Sequence, residues 1–150
     1  MQHTSRTEQQ RRAGFDHEAV FYEGLEGLVR AVLPFVREGV ERGEPVLVAL
    51  RAPGLDAVEK ALGPDAIRVD FVDMGELGAN PACIIPEWRR FLEDTVGEGP
   101  VRGVGEPLWA GRREAEMQEV LLHEALVNLA FEDESRCRML CAYVLDALSR

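Results

Sequence analysis

The sequence contains little of what phosphate-binding proteins use. Its 150 residues include a single lysine, Lys60, and neither a GxxxxGKS nor a GxxxxGKT motif. The formal net charge of -10 repels nucleic acid and anionic lipid. No apolar run approaches the roughly 20 residues that cross a bilayer, and the N-terminus lacks the apolar core of a signal peptide. We therefore expect a cytoplasmic protein that neither hydrolyses nucleotides nor binds nucleic acid or membranes.

Cysteine and serine are also scarce. The three cysteines, Cys83, Cys137 and Cys141, form neither a CxxC pair nor a disulfide framework. Cys141 is interpreted as a small buried residue of a strand, and a redox role for the Cys137/Cys141 pair is the alternative. None of the three serines lies in a GxSxG elbow. The sequence therefore does not support nucleophilic catalysis.

Two His-Glu pairs supply residue types that bind metals. They are His17-Glu18 and His123-Glu124. The sequence has no HExxH motif, and neighbouring residues of a helix point in different directions. We predict neither a metal nor another cofactor, and we interpret His123 as a partly buried, hydrogen-bonded histidine.

Strand-like and helix-like segments alternate along the chain. Five short β-branched or apolar runs predict strands, at 19–22, 45–50, 67–73, 100–105 and 138–144. Apolar residues at helical spacing predict helices between them, at 25–43, 53–63, 80–97 and 113–131, with a last helix from 145. Pro34 and Pro86 are expected to bend or divide their helices.

This alternation predicts an α/β fold with an open, mostly parallel sheet of about five strands and helices on both faces. Residues 1–14 are polar and lack periodicity, so we expect a disordered leader before one domain at 15–150. In the helix at 113–131, one apolar side is predicted to face the core, formed by Met117, Val120, Leu121, Leu126, Val127 and Ala130.

Ligands of open parallel sheets bind beyond the carboxyl ends of the strands. Tyr22 follows the first predicted strand, and the segment Glu106-Pro107-Leu108-Trp109 follows the fourth. An aromatic ring beside a polar anchor is typical of small-molecule pockets. His123 and Asn128, polar residues of an otherwise apolar helix, either line this pocket or tie the helix to a strand.

Several blocks of the sequence resemble the MEDS (methanogen/methylotroph sensory) domain family. The blocks are "HEAVFYEG" from His17, "LPFVREGVERGEPVLVAL" from Leu33, "VDFVDMGELGANPACIIPEWRRFL" from Val69, "RGVGEPLWAGR" from Arg102 and "HEALVNLAF" from His123. The resemblance implies a RecA/KaiC-like core without the phosphate-binding loop. It also implies a sensory module for small organic compounds such as hydrocarbon derivatives. The family positions carried over to this chain are His17, Glu18, Tyr22, Glu106, Trp109, His123, Glu124 and Asn128.

The resemblance further implies a role in signalling or transcription control. Actinobacterial members are commonly joined to an ATPase domain of the anti-sigma-factor type, which the residues up to Arg150 do not contain, so no kinase output is assigned. The leading hypothesis is a non-catalytic domain that binds a small organic ligand. One alternative is an interaction module in which Trp88 or Trp109 contacts a sigma factor, an anti-sigma protein or a second copy. Another is a degenerate hydrolase with Glu106 or Glu124 as base and His123 beside it.

Overall fold

A computed structural model describes residues 16–95, 97, 99–108 and 114–145. Its strands are β1 (Asp16–Tyr22), β2 (Val46–Leu50), β3 (Val69–Asp73), β4 (Val101–Leu108) and β5 (Cys137–Val144). Its α-helices are α1 (Gly24–Glu41), α2 (Gly54–Leu62), α3 (Met74–Leu77), α4 (Ile84–Asp94) and α5 (Glu114–Ala130). Two 3-10 helices precede β3 and α4, at Gly63–Arg68 and Pro81–Cys83. The predicted leader and the predicted last helix, apart from Leu145, lie outside the described residues.

The five strands form one sheet in the order β1-β5-β4-β2-β3, and every pair is parallel. Every residue of β2 is buried, as its continuous apolar sequence predicts for a strand covered on both faces. The α/β fold class with an open parallel sheet is therefore confirmed. None of the described helices has the length and hydropathy needed to cross a membrane.

Each face of the sheet packs against a different pair of helices. On one face, α1 and α2 contribute Val32, Val36 and Val58 to a core with Val48 and Leu140 of the sheet. On the other face, helices α4 and α5 cover a second core; it includes Trp88, Phe91, Val127, Leu47 and Met139. Residues of one strand alternate between these two cores, because neighbouring side chains of a strand point to opposite faces.

Strand β4 carries two glycines where helix α4 approaches the sheet. The ring of Trp88 lies against them, and a Cβ atom added at Gly103 would stand 2.5 Å from its Cζ3 atom. At Gly105 the corresponding Cβ atom would meet Trp88 at 3.5 Å, an ordinary contact. The close packing of α4 on the sheet therefore depends on the missing side chain of Gly103.

The other side of β4 begins with a fully buried arginine. Arg102 donates hydrogen bonds to Glu44 at 2.5 Å, to Glu38 at 2.8 Å and to the carbonyl oxygen of Phe35 at 3.0 Å. Its guanidinium also lies over the Phe35 ring, 4.9 Å from the centroid. A buried charge is tolerated only with such partners, so this cluster ties α1 and the loop after it to the central strand.

Both prolines predicted to disturb helices are accommodated without dividing them. Helix α1 continues from Gly24 to Glu41 through Pro34, and it ends before Gly43, whose φ of 70° only glycine adopts easily. Helix α4 begins at Ile84, which places Pro86 in its first turn. The amide groups of the first turn have no partner within the helix, so a proline is harmless there.

Some apolar residues of the predicted strands and helices are exposed. Ile67, predicted to begin the third strand, is 91% exposed in a 3-10 helix. In α5, Val120 and Val127 are buried as predicted, but Leu121 and Leu126 are exposed. The residue that faces the sheet between the two valines is His123. Apolar residues surround α5 on most sides, so hydropathy alone could not identify its buried face.

Gly103→Ala should destabilise the fold by about 1–3 kcal/mol, because its methyl group overlaps the ring of Trp88. Urea unfolding monitored by tryptophan fluorescence measures this change. Gly105→Ala is the matched control, two residues along the same strand, and should be neutral or stabilising by up to about 1 kcal/mol. Equal effects of the two substitutions would contradict the described packing.

Candidate functional site

The strand order places a topological switch point between the carboxyl ends of β2 and β4, here called the crevice after the position where open α/β sheets bind ligands. The chain leaves β2 towards β3 through α2 on one face, and it leaves β4 towards β5 through α5 on the other face. Neighbouring strands whose connections diverge in this way mark the usual ligand site of open α/β sheets. The polar groups at the carboxyl ends of these strands are therefore the first candidates for a ligand site.

Glu106 is the buried acid at this crevice, with 3% of its surface exposed. Its Oε1 atom accepts a hydrogen bond of 3.2 Å from the backbone N–H of Arg51, the first residue after β2. Its Oε2 atom accepts a short hydrogen bond from the hydroxyl of Tyr22, the last residue of β1. Residues from the ends of three strands thus meet at one carboxyl group.

Burial disfavours charge on both side chains of the Tyr22–Glu106 pair. Loss of water raises the pKa of Glu106 above 4.5, although the hydrogen bonds from Tyr22 and from Arg51 oppose this shift. Burial, followed by the hydrogen bond to Glu106 and its charge, raises the pKa of the Tyr22 hydroxyl. At the crevice, the hydroxyl of Tyr22 therefore stays neutral, and the carboxyl group of Glu106 ionises less readily than an exposed one.

Glu106 lies within β4, whereas the sequence predicted that it follows the fourth strand. Strand β4 extends to Leu108, and its pairing with β5 shifts between Gly105 and Leu108. Three steps along β4 match two steps along β5, which defines a β-bulge at Glu106 and Pro107. Proline has no N–H group for the ladder and suits such a site. Trp109, predicted to line the pocket, lies outside the described residues.

A second polar cluster lies on the face of the sheet covered by α5. The Nδ1 atom of His17 in β1 is 3.1 Å from Oδ1 of Asn128, and its Nε2 atom is 3.0 Å from the sulfur of Cys141 in β5. The same Nε2 atom is 3.6 Å from Oε2 of Glu124. In the described part of the chain, His17, Glu124 and Cys141 form a potential metal-binding group, with donor atoms all within 4.8 Å of one another.

This second cluster is partly shielded from water. The side chains of His17 and Glu124 are 12% and 21% exposed, and Cys141 is 4% exposed. Burial and the nearby Glu124 carboxylate raise the pKa of the Cys141 thiol well above 9.0. Burial also raises the pKa of Tyr143, with contributions from Cys141 and Glu124. An isolated thiol in this place is therefore protonated and unreactive.

The structure brings the predicted site residues together in two groups rather than around one pocket. Tyr22 and Glu106 meet at the crevice, whereas His17, Glu124 and Asn128 meet on the opposite face. The two remaining described residues stand apart from each other: Glu18 is exposed and points away from His17 by strand alternation, and His123 is buried against the sheet.

Two participants were missed as site residues. Arg51 contributes a backbone N–H, which no side-chain pattern can indicate. Cys141 was correctly interpreted as a small buried residue, but its contact with His17 depends on the pairing of β1 with β5. The alternative of a redox pair is not supported, because Cys137 and Cys141 are both buried and burial raises the pKa of Cys137 to about 12.

The fold and the crevice define an α/β domain with a polar site at the carboxyl ends of its parallel strands. Residues 16–150 match the MEDS family, described as the methanogen/methylotroph, DcmR sensory domain. The chain belongs to this family of sensory domains. No curated protein and no solved structure matches it. The RecA/KaiC-like core implied by the resemblance stays a prediction.

Replacing Glu106 by glutamine should change how stability depends on pH. Below pH 4.5 the carboxyl group is protonated in both folded and unfolded chains. As pH rises from 4.5 through the raised pKa of the folded state, the unfolded chain releases its proton first, and the wild type loses stability. Over that interval the free energy of unfolding of Glu106→Gln should rise relative to the wild type, as measured by urea unfolding at several pH values.

Glu38→Gln is a control with the opposite sign. The hydrogen bond and charge of Arg102 lower the pKa of Glu38 below 4.5. The wild type therefore gains stability as pH rises through the lowered pKa to 4.5, and Glu38→Gln should lose stability relative to it over that interval. If the free energies of unfolding of both variants, relative to the wild type, changed in the same direction as pH rises, a raised pKa of Glu106 would be contradicted.

Proposed function

We propose that the chain is a non-catalytic sensory domain that binds a small organic molecule in the crevice between β2 and β4. Membership of a sensory family supports the sensory role. The observation that carries the location is the convergence of Tyr22, Arg51 and Glu106 at the point where the connections of β2 and β4 diverge. A ligand that contacts these groups acts on three strands at once.

The chemistry of the crevice favours an uncharged or cationic ligand. The Glu106 carboxyl group and the Tyr22 hydroxyl offer hydrogen bonds, and an anion would meet both this acid and a chain of net charge -10. Both oxygens of Glu106 already accept hydrogen bonds, from Tyr22 and from Arg51, and each oxygen has a second lone pair for a ligand that donates. Alcohols, amides and amines of a few carbon atoms are ligands of this class.

The hydrolase alternative receives little support from the arrangement of its residues. Glu106 belongs to the crevice, whereas His123 faces the sheet from α5 on the other side. Glu124 is the neighbour of His123 in the same helix, and adjacent helical residues point in different directions. A carboxylate and an imidazole placed in this way do not form an acid–base pair, which favours the non-catalytic function.

The proposal predicts that one- to four-carbon alcohols, amides or amines raise the melting temperature in a concentration-dependent manner. A ligand present at 100 times its Kd stabilises the fold by about 2.7 kcal/mol, which corresponds to roughly 5 °C or more for a chain of this size. Tyr22→Phe removes the hydroxyl and should weaken binding of the same probe about tenfold, through the loss of one hydrogen bond.

Glu59→Gln is the matched control for this screen, because it alters an exposed carboxylate on α2 away from the crevice. It should leave probe binding unchanged. Amide NMR spectra provide the location, with probe-induced shifts expected at Arg51 and Glu106. Stabilisation that persists in Tyr22→Phe, with shifts confined to other regions, would contradict the proposed site.

A second candidate function is an interaction module, and the outer face of α5 favours it. Four leucines there are exposed by 42–68%; they are Leu121, Leu122, Leu126 and Leu129. The exposed positions of α5 between 121 and 129 include no charged residue. The chain has a net charge of -10, so two copies repel each other over much of their surfaces. On this uncharged face they can approach without that repulsion. Trp88, predicted to contact a partner, is buried in the core instead.

We propose a second copy of the chain as the occupant of this leucine face. Light scattering should then detect a dimer, and the double substitution Leu122→Glu/Leu129→Glu should convert it to a monomer through charge repulsion. Ile67→Glu is the control, since Ile67 is 91% exposed and lies elsewhere. A wild type that is monomeric at high concentration would exclude this interface, and a sigma or anti-sigma protein would then be the partner to examine.

A further inference from the structure

The cluster of His17, Glu124 and Cys141 is separate from the crevice and has no role in the proposed ligand site. It joins three elements, with His17 on the edge strand β1, Cys141 on β5 and Glu124 on α5. Positions 17, 124 and 141 are far apart in the sequence, so no local motif could indicate the cluster. Its donors are an imidazole nitrogen, a thiol sulfur and a carboxylate oxygen.

The hydrogen bonds of Asn128 fix the tautomer of His17. The Asn128 Nδ2 group donates to the carbonyl oxygen of Glu124 at 3.2 Å, so its Oδ1 atom faces the imidazole. An amide oxygen is only an acceptor, and the Nδ1 atom of His17, 3.1 Å away, must therefore carry the proton. In the neutral ring the Nε2 lone pair is then directed towards Cys141 and Glu124.

Histidine ligands of metal ions have this same arrangement. One ring nitrogen binds the metal, and the other donates a proton to a fixed oxygen that sets the orientation of the ring. Here Asn128 supplies that oxygen. Glu124 contributes a second sign of an incomplete site, because its Oε1 atom is buried without a hydrogen-bond partner among the described residues. An unsatisfied buried carboxylate oxygen is costly unless a cation or a donor occupies the space beside it.

We propose that His17, Cys141 and Glu124 bind a divalent transition metal ion, with Zn²⁺ as the preferred ion, and that Asn128 positions His17. A nitrogen, sulfur and oxygen donor set suits Zn²⁺, whereas Mg²⁺ and Ca²⁺ prefer oxygen atoms alone. Around tetrahedral Zn²⁺, neighbouring donor atoms stand about 3.3–3.6 Å apart. The His17–Glu124 distance of 3.6 Å fits this spacing, and the His17–Cys141 distance of 3.0 Å needs to open by about 0.5 Å.

Binding displaces the thiol proton of Cys141 to solvent, and the thiolate then forms the metal–sulfur bond. The three protein ligands leave one tetrahedral position for water or another exchangeable ligand. The ion would connect the edge strand β1 to β5 and α5. Metal occupancy is therefore expected to stabilise the attachment of β1, which among the described strands pairs with β5 alone.

Co²⁺ titration tests the site directly, because a cobalt–thiolate bond produces a charge-transfer band in the near ultraviolet. The full chain carries Cys83→Ser, which removes its exposed thiol. We expect one equivalent of Co²⁺ to produce the band and Zn²⁺ to displace it. Cys141→Ala should abolish the band, whereas Cys137→Ala, which alters a buried cysteine of the same strand, should retain it.

Zn²⁺ affinities of the variants distinguish the metal ligands from the residue that positions His17. They are measured by competition with a chromophoric chelator. Asn128→Ala should weaken binding about 10- to 100-fold, as is typical for a residue that orients a metal ligand. His17→Ala and Glu124→Gln should each weaken it by more than Asn128→Ala. Asn128→Asp retains an acceptor oxygen and should restore affinity.

Two results would overturn the proposal. One is the absence of a cobalt–thiolate band in the folded chain, and the other is a band of equal strength in Cys141→Ala. If Cys141→Ala does not fold, Glu124→Gln and Asn128→Ala decide the matter, since both alter partly exposed or exposed residues. If these two variants bound Zn²⁺ with unchanged affinity, the ion would be bound by other groups of the chain, and the proposed site would be wrong. None of these results depends on ligand binding in the crevice.

Discussion

The central strand β4 imposes the constraint on which the rest of the structure depends. One side of the strand presents Gly103 and Gly105, and the ring of Trp88 occupies the space that a side chain at Gly103 would fill. The other side begins with the buried charge of Arg102. Helix α4 is able to pack closely because one side of β4 is empty. Helix α1 is fixed because the other side carries a charge that must find partners.

The two buried ionisable groups of β4 have different surroundings. Arg102 has partners in α1 and in the loop after it, namely two carboxylates and a backbone carbonyl oxygen. Such a network fixes the position of a helix. Glu106 instead has partners at the ends of β1 and β2, beside a bulge and at the edge of the sheet. Its contacts involve strand termini, which move more easily than the middle of a strand. The amino-terminal half of β4 thus anchors a helix, whereas its carboxyl-terminal half contributes to the proposed ligand site.

The sequence predicted the fold better than the site. The five short β-branched or apolar runs correctly identified the five strands. The orientation of α5 was wrong, because leucines outside the core are as apolar as the valines inside it. Glu106 was expected to follow the fourth strand, but β4 continues to Leu108 through a bulge, and a bulge cannot be recognised from residue types alone.

The grouping of the site residues could not be predicted, because it depends on which strands are neighbours. Tyr22 and Glu106 come together only through the order β1-β5-β4, and His17 meets Cys141 only through the pairing of β1 with β5. Residues of one strand also divide between two faces, so His17 and Tyr22 serve different clusters although both belong to β1. The family resemblance indicated which residues to consider as site residues. Their division into two clusters is visible only in the three-dimensional structure.

In the described part of the sheet, strand β1 has one neighbour, and it contributes His17 to one cluster and Tyr22 to the other. If both proposed sites bind their ligands, the seven residues of β1 connect them directly. Any effect of one ligand on the affinity of the other would then be reciprocal and of the same factor. A strand that carries residues of both proposed sites would let one sensory domain respond to two different ligands.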